Sequence, residues 1–132
     1  MARLSKGPDP RSRALDPARL ASSFGYAWDG FKHAWQNQPN FRLELYLGAL
    51  AVALAAYLRV DPVPVVLASG LVLGLELVNT AIEALTDRVG TEPHPMAKLA
   101  KDTAAAAVLV ASAAALLVGI FTFLPPILDM LR

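Results

Sequence analysis

The chain has 132 residues, 55% of them hydrophobic, with a formal net charge of +1 and no cysteine. That apolar share points to a small integral membrane protein of one domain. The missing cysteines exclude disulfides, thiolate catalysis and Cys-ligated zinc or iron–sulfur sites.

Residues 1–16, MARLSKGPDPRSRALD, carry two prolines and several arginines without an apolar period. They are expected to form a flexible basic tail near anionic headgroups. A secretory signal is not expected, because the first apolar run begins only near Phe41 and two more come after it.

Over 17–38 the pattern changes. Leu20, Phe24, Trp28, Phe31 and Trp35 fall within about 80° on a helical wheel. Ser22, Asp29, Lys32, His33 and Gln36 take the other side. This predicts an amphipathic helix lying on the membrane, its tryptophans at headgroup depth, as an anchor or as a wall for an interfacial site. Pro39 should break it and Asn40 should cap the first span.

Three spans are expected, at about 41–58, 63–87 and 98–124. The first carries Arg42 and Glu44 near its start, and RVDPVP (59–64) turns the chain into the second. RVGTEPHPM (88–96) offers Gly90 to end the second and Pro95 to begin the third, which has no charge over 103–124. Gly70 and Gly74 form a GxxxG, and alanines crowd 104–107 and 113–115, both suited to helix packing.

Of the Lys and Arg, only Arg59 and Arg132 fall on the side opposite the N-terminus and the 88–101 loop. The positive-inside rule therefore places the N-terminus and that loop in the cytoplasm and the C-terminus outside.

The most informative feature is in the second span. In LVLGLELVNTAIEAL (71–85) and just beyond, Glu76, Asn79, Glu83 and Asp87 fall at about 0°, −60°, −20° and +20° on a helix, one face. Carboxylates within a span cost on the order of 2.5–3.5 kcal/mol each and usually mark a functional interior. Interhelical hydrogen bonding explains Asn79 or Thr80 alone, but does not need repeated charge. Glu76 and Glu83 lie about 10.5 Å apart along the helix, too far to share one magnesium ion. One could hold a metal while the other stands over a substrate. Magnesium needs only one or two carboxylates beside waters and phosphate oxygens. The cluster Lys98, Lys101 and Asp102 opens the next helix, so the pattern suggests metal and phosphate chemistry at a lipid boundary. His33 and His94 are isolated, which speaks against zinc.

These residues carry a resemblance. Glu76-Leu-Val-Asn-Thr-Ala-Ile-Glu-Ala-Leu-Thr-Asp87, then Ala97-Lys-Leu-Ala-Lys-Asp102 with its alanine-rich helix, and GYAWDGFKHAWQNQPNFRLE upstream, resemble the prokaryotic diacylglycerol kinase/undecaprenol kinase family over roughly 19–125. HPMAKLAKD and FLPPIL look more like the undecaprenol branch, and the Gly-Tyr-x-Trp stretch more like the diacylglycerol branch. The resemblance implies an all-α fold of one surface helix and three spans, assembled as a homotrimer with shared sites. It implies Glu76 as the base toward a lipid hydroxyl, oriented by Asn79, with Glu83 holding magnesium. Arg19, Tyr26, Glu92, His94, Lys101 and Asp102 would serve ATP. Trp28 and Glu44 complete the candidate lipid-binding set. The family's second metal carboxylate falls where this chain has Gln38, which can ligate without adding charge. Glu44 either compensates or is a span-end residue reaching the interface. No GxxxxGK[ST] is present, but phosphoryl transfer needs mainly alignment and charge neutralisation.

The expected function is an ATP- and Mg2+-dependent kinase for undecaprenol or diacylglycerol in the inner or cytoplasmic membrane, without a nucleic-acid partner. A small oligomeric proton or ion conductor using Glu76 and Glu83 is the alternative, and a non-catalytic helical adaptor a further rival. The conductor leaves Lys101 and Asp102 without a role, and the adaptor leaves the acidic stripe without one.

Overall fold

The computed structural model describes residues 16–90 and 94–132, so the tail at 1–15 and the candidate Glu92 lie outside the described residues. Among those described, the elements are α1 (Pro17–Asn37), α2 (Pro39–Leu58), α3 (Val63–Val89) and α4 (Pro95–Met130). All four are helical, and α2, α3 and α4 are long and apolar enough to cross a membrane.

A proline opens each helix in its first turn, where a missing N–H costs nothing. Asp16 caps α1 by accepting from the Ala18 N–H at 3.1 Å. Between α1 and α2 stands one non-helical residue, Gln38, at φ −111° and ψ 103°. Pro39 imposes this, because its ring disfavours helical geometry in the preceding residue. Asn40 therefore lies inside the first turn of α2, and the cap position expected for it belongs to Gln38.

At the other end of α2, Arg59 takes a left-handed conformation (φ 57°), and the Val60 N–H donates to the Ala55 carbonyl at 3.0 Å. Asp61 accepts from the Val63 N–H at 2.9 Å, which starts α3. Gly90 comes after the last residue of α3, but in extended geometry that any residue adopts (φ −173°). No left-handed cap is needed there. Helix α4 runs 36 residues, about 54 Å, well beyond the roughly 30 Å hydrocarbon core. It passes through Pro125 and Pro126, where the sequence predicts a stop, leaving the Phe121 and Thr122 carbonyls without helical donors.

Helix α3 is central. It packs most extensively along α4 and next along α2, while α1 touches α2 and α3 but not α4. Small residues set the spacing: Ala34, Ala55, Ala104 and Ala111 are buried, and a Cβ on Gly48 would sit 3.1 Å from Ser69 Cβ and Oγ. Gly70 and Gly74 behave differently. A Cβ at either would meet nothing within 4 Å, so the GxxxG face packs against no described residue of its own chain. Leu43, Leu50, Leu67, Leu109 and Leu116 point outward, as side chains facing lipid do.

Candidate active site

The buried face of α3 is apolar at Val65 and Val72 and then polar at Glu76, Asn79 and Thr80. These positions recur at the helical period, so the same face that packs the core carries the acidic stripe. Thr80 donates to the Glu76 carbonyl at 2.9 Å and Asn79 Nδ2 to Glu83 Oε1 at 3.2 Å. Both bonds stay within α3. Asn79 and Thr80 therefore donate to no other helix of the chain.

The Glu83 carboxylate is bracketed by amides. Gln38 Nε2 donates to its second oxygen at 3.4 Å, so the structure brings together two residues 45 apart in sequence. Glu44 and Glu76 are taken out of water by the packing around them, and Glu76 is buried. Among the described residues no lysine or arginine pairs with Glu44, Glu76 or Glu83. Glu44 Oε2 and Asn79 Oδ1 are buried without a hydrogen-bond partner. Buried acceptors of this kind are costly unless something arrives to use them.

Below Glu44 runs an apolar groove of about 670 Å³ between α2, α3 and α4. Gly48, Ala51, Val72, Gly119 and Phe123 line it, and Glu44 stands at one end. At the opposite pole of the stripe, Lys101 Nζ meets Asp87 Oδ1 at 2.5 Å, and Lys98 pairs with Asp102. The Asp87–Lys101 contact joins the end of α3 to the start of α4. Asp87 had a place on the stripe but no role from sequence, since a pair 14 residues apart has no helical-period signal.

The remaining candidates are more scattered. Tyr26 and Trp28 on α1 are largely exposed, and Trp28 stacks on Phe31 with centroids 5.5 Å apart. Arg19 is also exposed. His94 Nδ1 accepts from the Met96 N–H at 3.2 Å, so it caps α4. Because α1 does not reach α4, one chain does not bring Arg19 and Tyr26 against Lys101 and Asp102.

The donor set bears on magnesium. No three His, Asp or Glu side chains converge among the described residues. Glu83 is nevertheless an unneutralised carboxylate flanked by two amides, one with an orphan oxygen, and magnesium takes few carboxylates. These residues fit one such ion completed by water and phosphate.

A three-span bundle with an acidic column between an apolar groove and a surface of Lys–Asp pairs fits the class of small membrane-embedded lipid kinases. The family model for prokaryotic diacylglycerol kinase matches residues 25–123. A Synechocystis protein named diacylglycerol kinase is 43% identical over 116 residues, 85% of this chain and 66% of that protein. The Escherichia coli protein of that name is 43% identical over 96 residues, 70% of this chain and 79% of its own. One from Helicobacter pylori is 40% identical over 95 residues, with 70% and 74% covered. The chain belongs to the prokaryotic diacylglycerol kinase family, a membrane-protein family of lipid kinases. This membership disfavours the ion-conductor alternative.

Proposed function

We propose that the protein transfers the γ-phosphoryl group of ATP to the free hydroxyl of diacylglycerol, with Mg2+, at the cytoplasmic face of the inner or cytoplasmic membrane. The name shared by the relatives supports diacylglycerol over undecaprenol. The observation that carries the reading is the series Glu44, Glu76 and Glu83, with no lysine or arginine paired to it among the described residues, running between the apolar groove and the Lys101–Asp87 surface.

A lipid chain in the groove brings its hydroxyl up to Glu44, within reach of Glu76, while Trp28 borders the headgroup. Asn79 stands beside that hydroxyl and helps orient it, with its single proton directed at Glu76. Glu76 takes the proton as the lipid oxygen attacks the γ-phosphorus and the bond to the β-phosphate oxygen breaks, releasing ADP. Burial of Glu76 keeps water from competing as the nucleophile. Lys101 neutralises phosphate charge, and Arg19, Tyr26, Glu92, His94 and Asp102 hold the nucleotide. Glu83, with Gln38 beside it, would hold magnesium, which would supply positive charge toward the phosphates.

Because α1 does not reach α4 within a chain, a homotrimer with sites completed by a neighbouring copy fits this assignment. Residues 17–132 act as one domain and 1–16 as its basic tail. The test is ATP consumption by purified protein with diacylglycerol, with undecaprenol and with neither. Diacylglycerol-dependent turnover is expected, and turnover independent of added lipid alcohol refutes the proposal.

A further inference from the structure

The apolar groove carries a hydroxyl that no step of the phosphoryl transfer uses. Of the side chains lining it, only Glu44, Ser69 and Ser112 carry polar atoms. The groove runs along α2 from Glu44, along α3 up to Val72 and along α4 from Ser112, so Glu44 and Ser112 open the same end. Glu76 stands one turn of α3 beyond Val72. The Asp87–Lys101 pair fixes the register of α3 against α4. Eleven residues from that pair lead back to Glu76 on α3 and on to Ser112 on α4. Each stretch is about 16.5 Å of helix, so the two side chains stand at one depth. Ser69 lies seven residues from Glu76, about 10.5 Å further down.

The Ser112 hydroxyl is also uncommitted. Ser22, Ser23, Thr80, Thr86 and Thr103 each donate to the carbonyl four residues back, the usual outlet for a hydroxyl on a helix. Ser112 is half-buried, and it makes no such bond and donates to no other described residue. A donor in an apolar groove gains from an acceptor on a ligand, because little water competes for it. The candidate lipid alcohols differ at this point. In a diacylglycerol an ester carbonyl lies a few bonds from the free hydroxyl, so bringing that hydroxyl to Glu76 carries an acceptor to the same depth. A polyprenyl alcohol has only hydrocarbon there and leaves the Ser112 donor unmet.

We propose that Ser112 is a specificity-determining residue: it donates its hydroxyl to an ester carbonyl of the lipid and so favours ester-linked alcohols over polyprenyl ones. The inference rests on the reading of the groove as the lipid site and of Glu76 as the group that the reacting hydroxyl approaches. The ester becomes a second feature of the lipid that is recognised, beside the hydroxyl itself. Ser69, deeper and close against Gly48, lies beside the hydrocarbon of the chain.

The test uses the full-length protein in mixed micelles with three lipids: a diacylglycerol, the dialkyl ether of the same chain length, and undecaprenol. The ether keeps the free hydroxyl and loses both carbonyls. Values of kcat/KM are measured for each lipid in the parent, Ser112→Ala and Ser69→Ala. The parent should favour the ester over the ether about fivefold, the worth of one neutral hydrogen bond. Ser112→Ala should abolish that preference by raising the KM for the ester, with use of the ether, undecaprenol and ATP unchanged. Ser69→Ala should keep the preference. Equal use of ester and ether by the parent, an undiminished preference in Ser112→Ala, or its loss in Ser69→Ala overturns the role of Ser112 and leaves the diacylglycerol reading standing. Turnover of undecaprenol with none of diacylglycerol in the parent overturns both.

Discussion

Replacing Glu76 with glutamine separates chemistry from folding, because the two effects have opposite signs. The side chain is 4% exposed, so an isosteric amide keeps its packing while removing its charge. Loss of a general base costs about 10²–10⁴-fold in turnover, or roughly 3–5 kcal/mol of barrier. The fold should gain. Glu76 is buried, which strips its charge of water, and no cation is paired with it among the described residues. A charge in a span costs on the order of 2.5–3.5 kcal/mol, of which an amide recovers part, so a stabilisation of about 1–2 kcal/mol is expected. Phosphatidate formation from radiolabelled ATP reads the first effect, and unfolding of the reconstituted protein reads the second. Retention of a third of parental turnover removes Glu76 as the base. A variant that loses activity and stability together instead assigns Glu76 a structural role, and the proposed proton transfer fails.

Lys101→Ala should raise the KM for ATP and leave stability nearly unchanged, because an exposed pair with Asp87 is worth no more than about 1 kcal/mol. Lys101→Arg should rescue little, since a planar fork replaces a compact ammonium, and a parental KM in the alanine variant removes Lys101 from the site. Gly48→Ala should be close to neutral: about 1 kcal/mol of helix propensity offsets a crowded contact at 3.1 Å from Ser69. Gly48→Leu should intrude on the groove and lower lipid use without changing ATP affinity, whereas equal loss of both would place the lipid elsewhere. A cysteine label at position 132 should be reached only from outside, and labelling only from the cytoplasm overturns the orientation.

Helical elements were legible wherever periodicity and proline acted together. The single-residue hinge at Gln38 arises from Pro39, yet sequence favoured Asn40 as the cap because Asn is the better capping residue. The backbone restriction before proline decided otherwise. The persistence of α4 through Pro125 and Pro126 was not legible, because local preference argues for a stop there. Nor did the GxxxG show which surface it serves. Gly48, outside any such motif, makes the close approach within the chain, because the contact depends on what Ser69 presents opposite it.

The acidic stripe was legible because its spacing is local: Glu76, Asn79 and Glu83 share a face by helix geometry alone. What periodicity could not reveal were the contacts made across elements, Gln38 to Glu83 and Lys101 to Asp87. These two set the site's electrical character. Lys101 is drawn toward Asp87 at the surface, so no described cation neutralises the deeper carboxylates. Gln38 supplies an amide dipole where a carboxylate would have added a fourth negative charge to Glu44, Glu76 and Glu83. A neutral group at position 38 lowers the repulsion stored in the cation-free bundle, and by the same step weakens the field that would draw a cation in. The substitution therefore exchanges cation affinity for cation-free stability. On that ground the parent should need more Mg2+ for half-maximal rate than Gln38→Glu, while unfolding at lower denaturing stress should be seen in Gln38→Glu without cation. If Glu44 already supplies the missing charge, Gln38→Glu should leave the Mg2+ requirement unchanged and Glu44→Gln should raise it instead. Identical titrations in both variants would separate both residues from the metal.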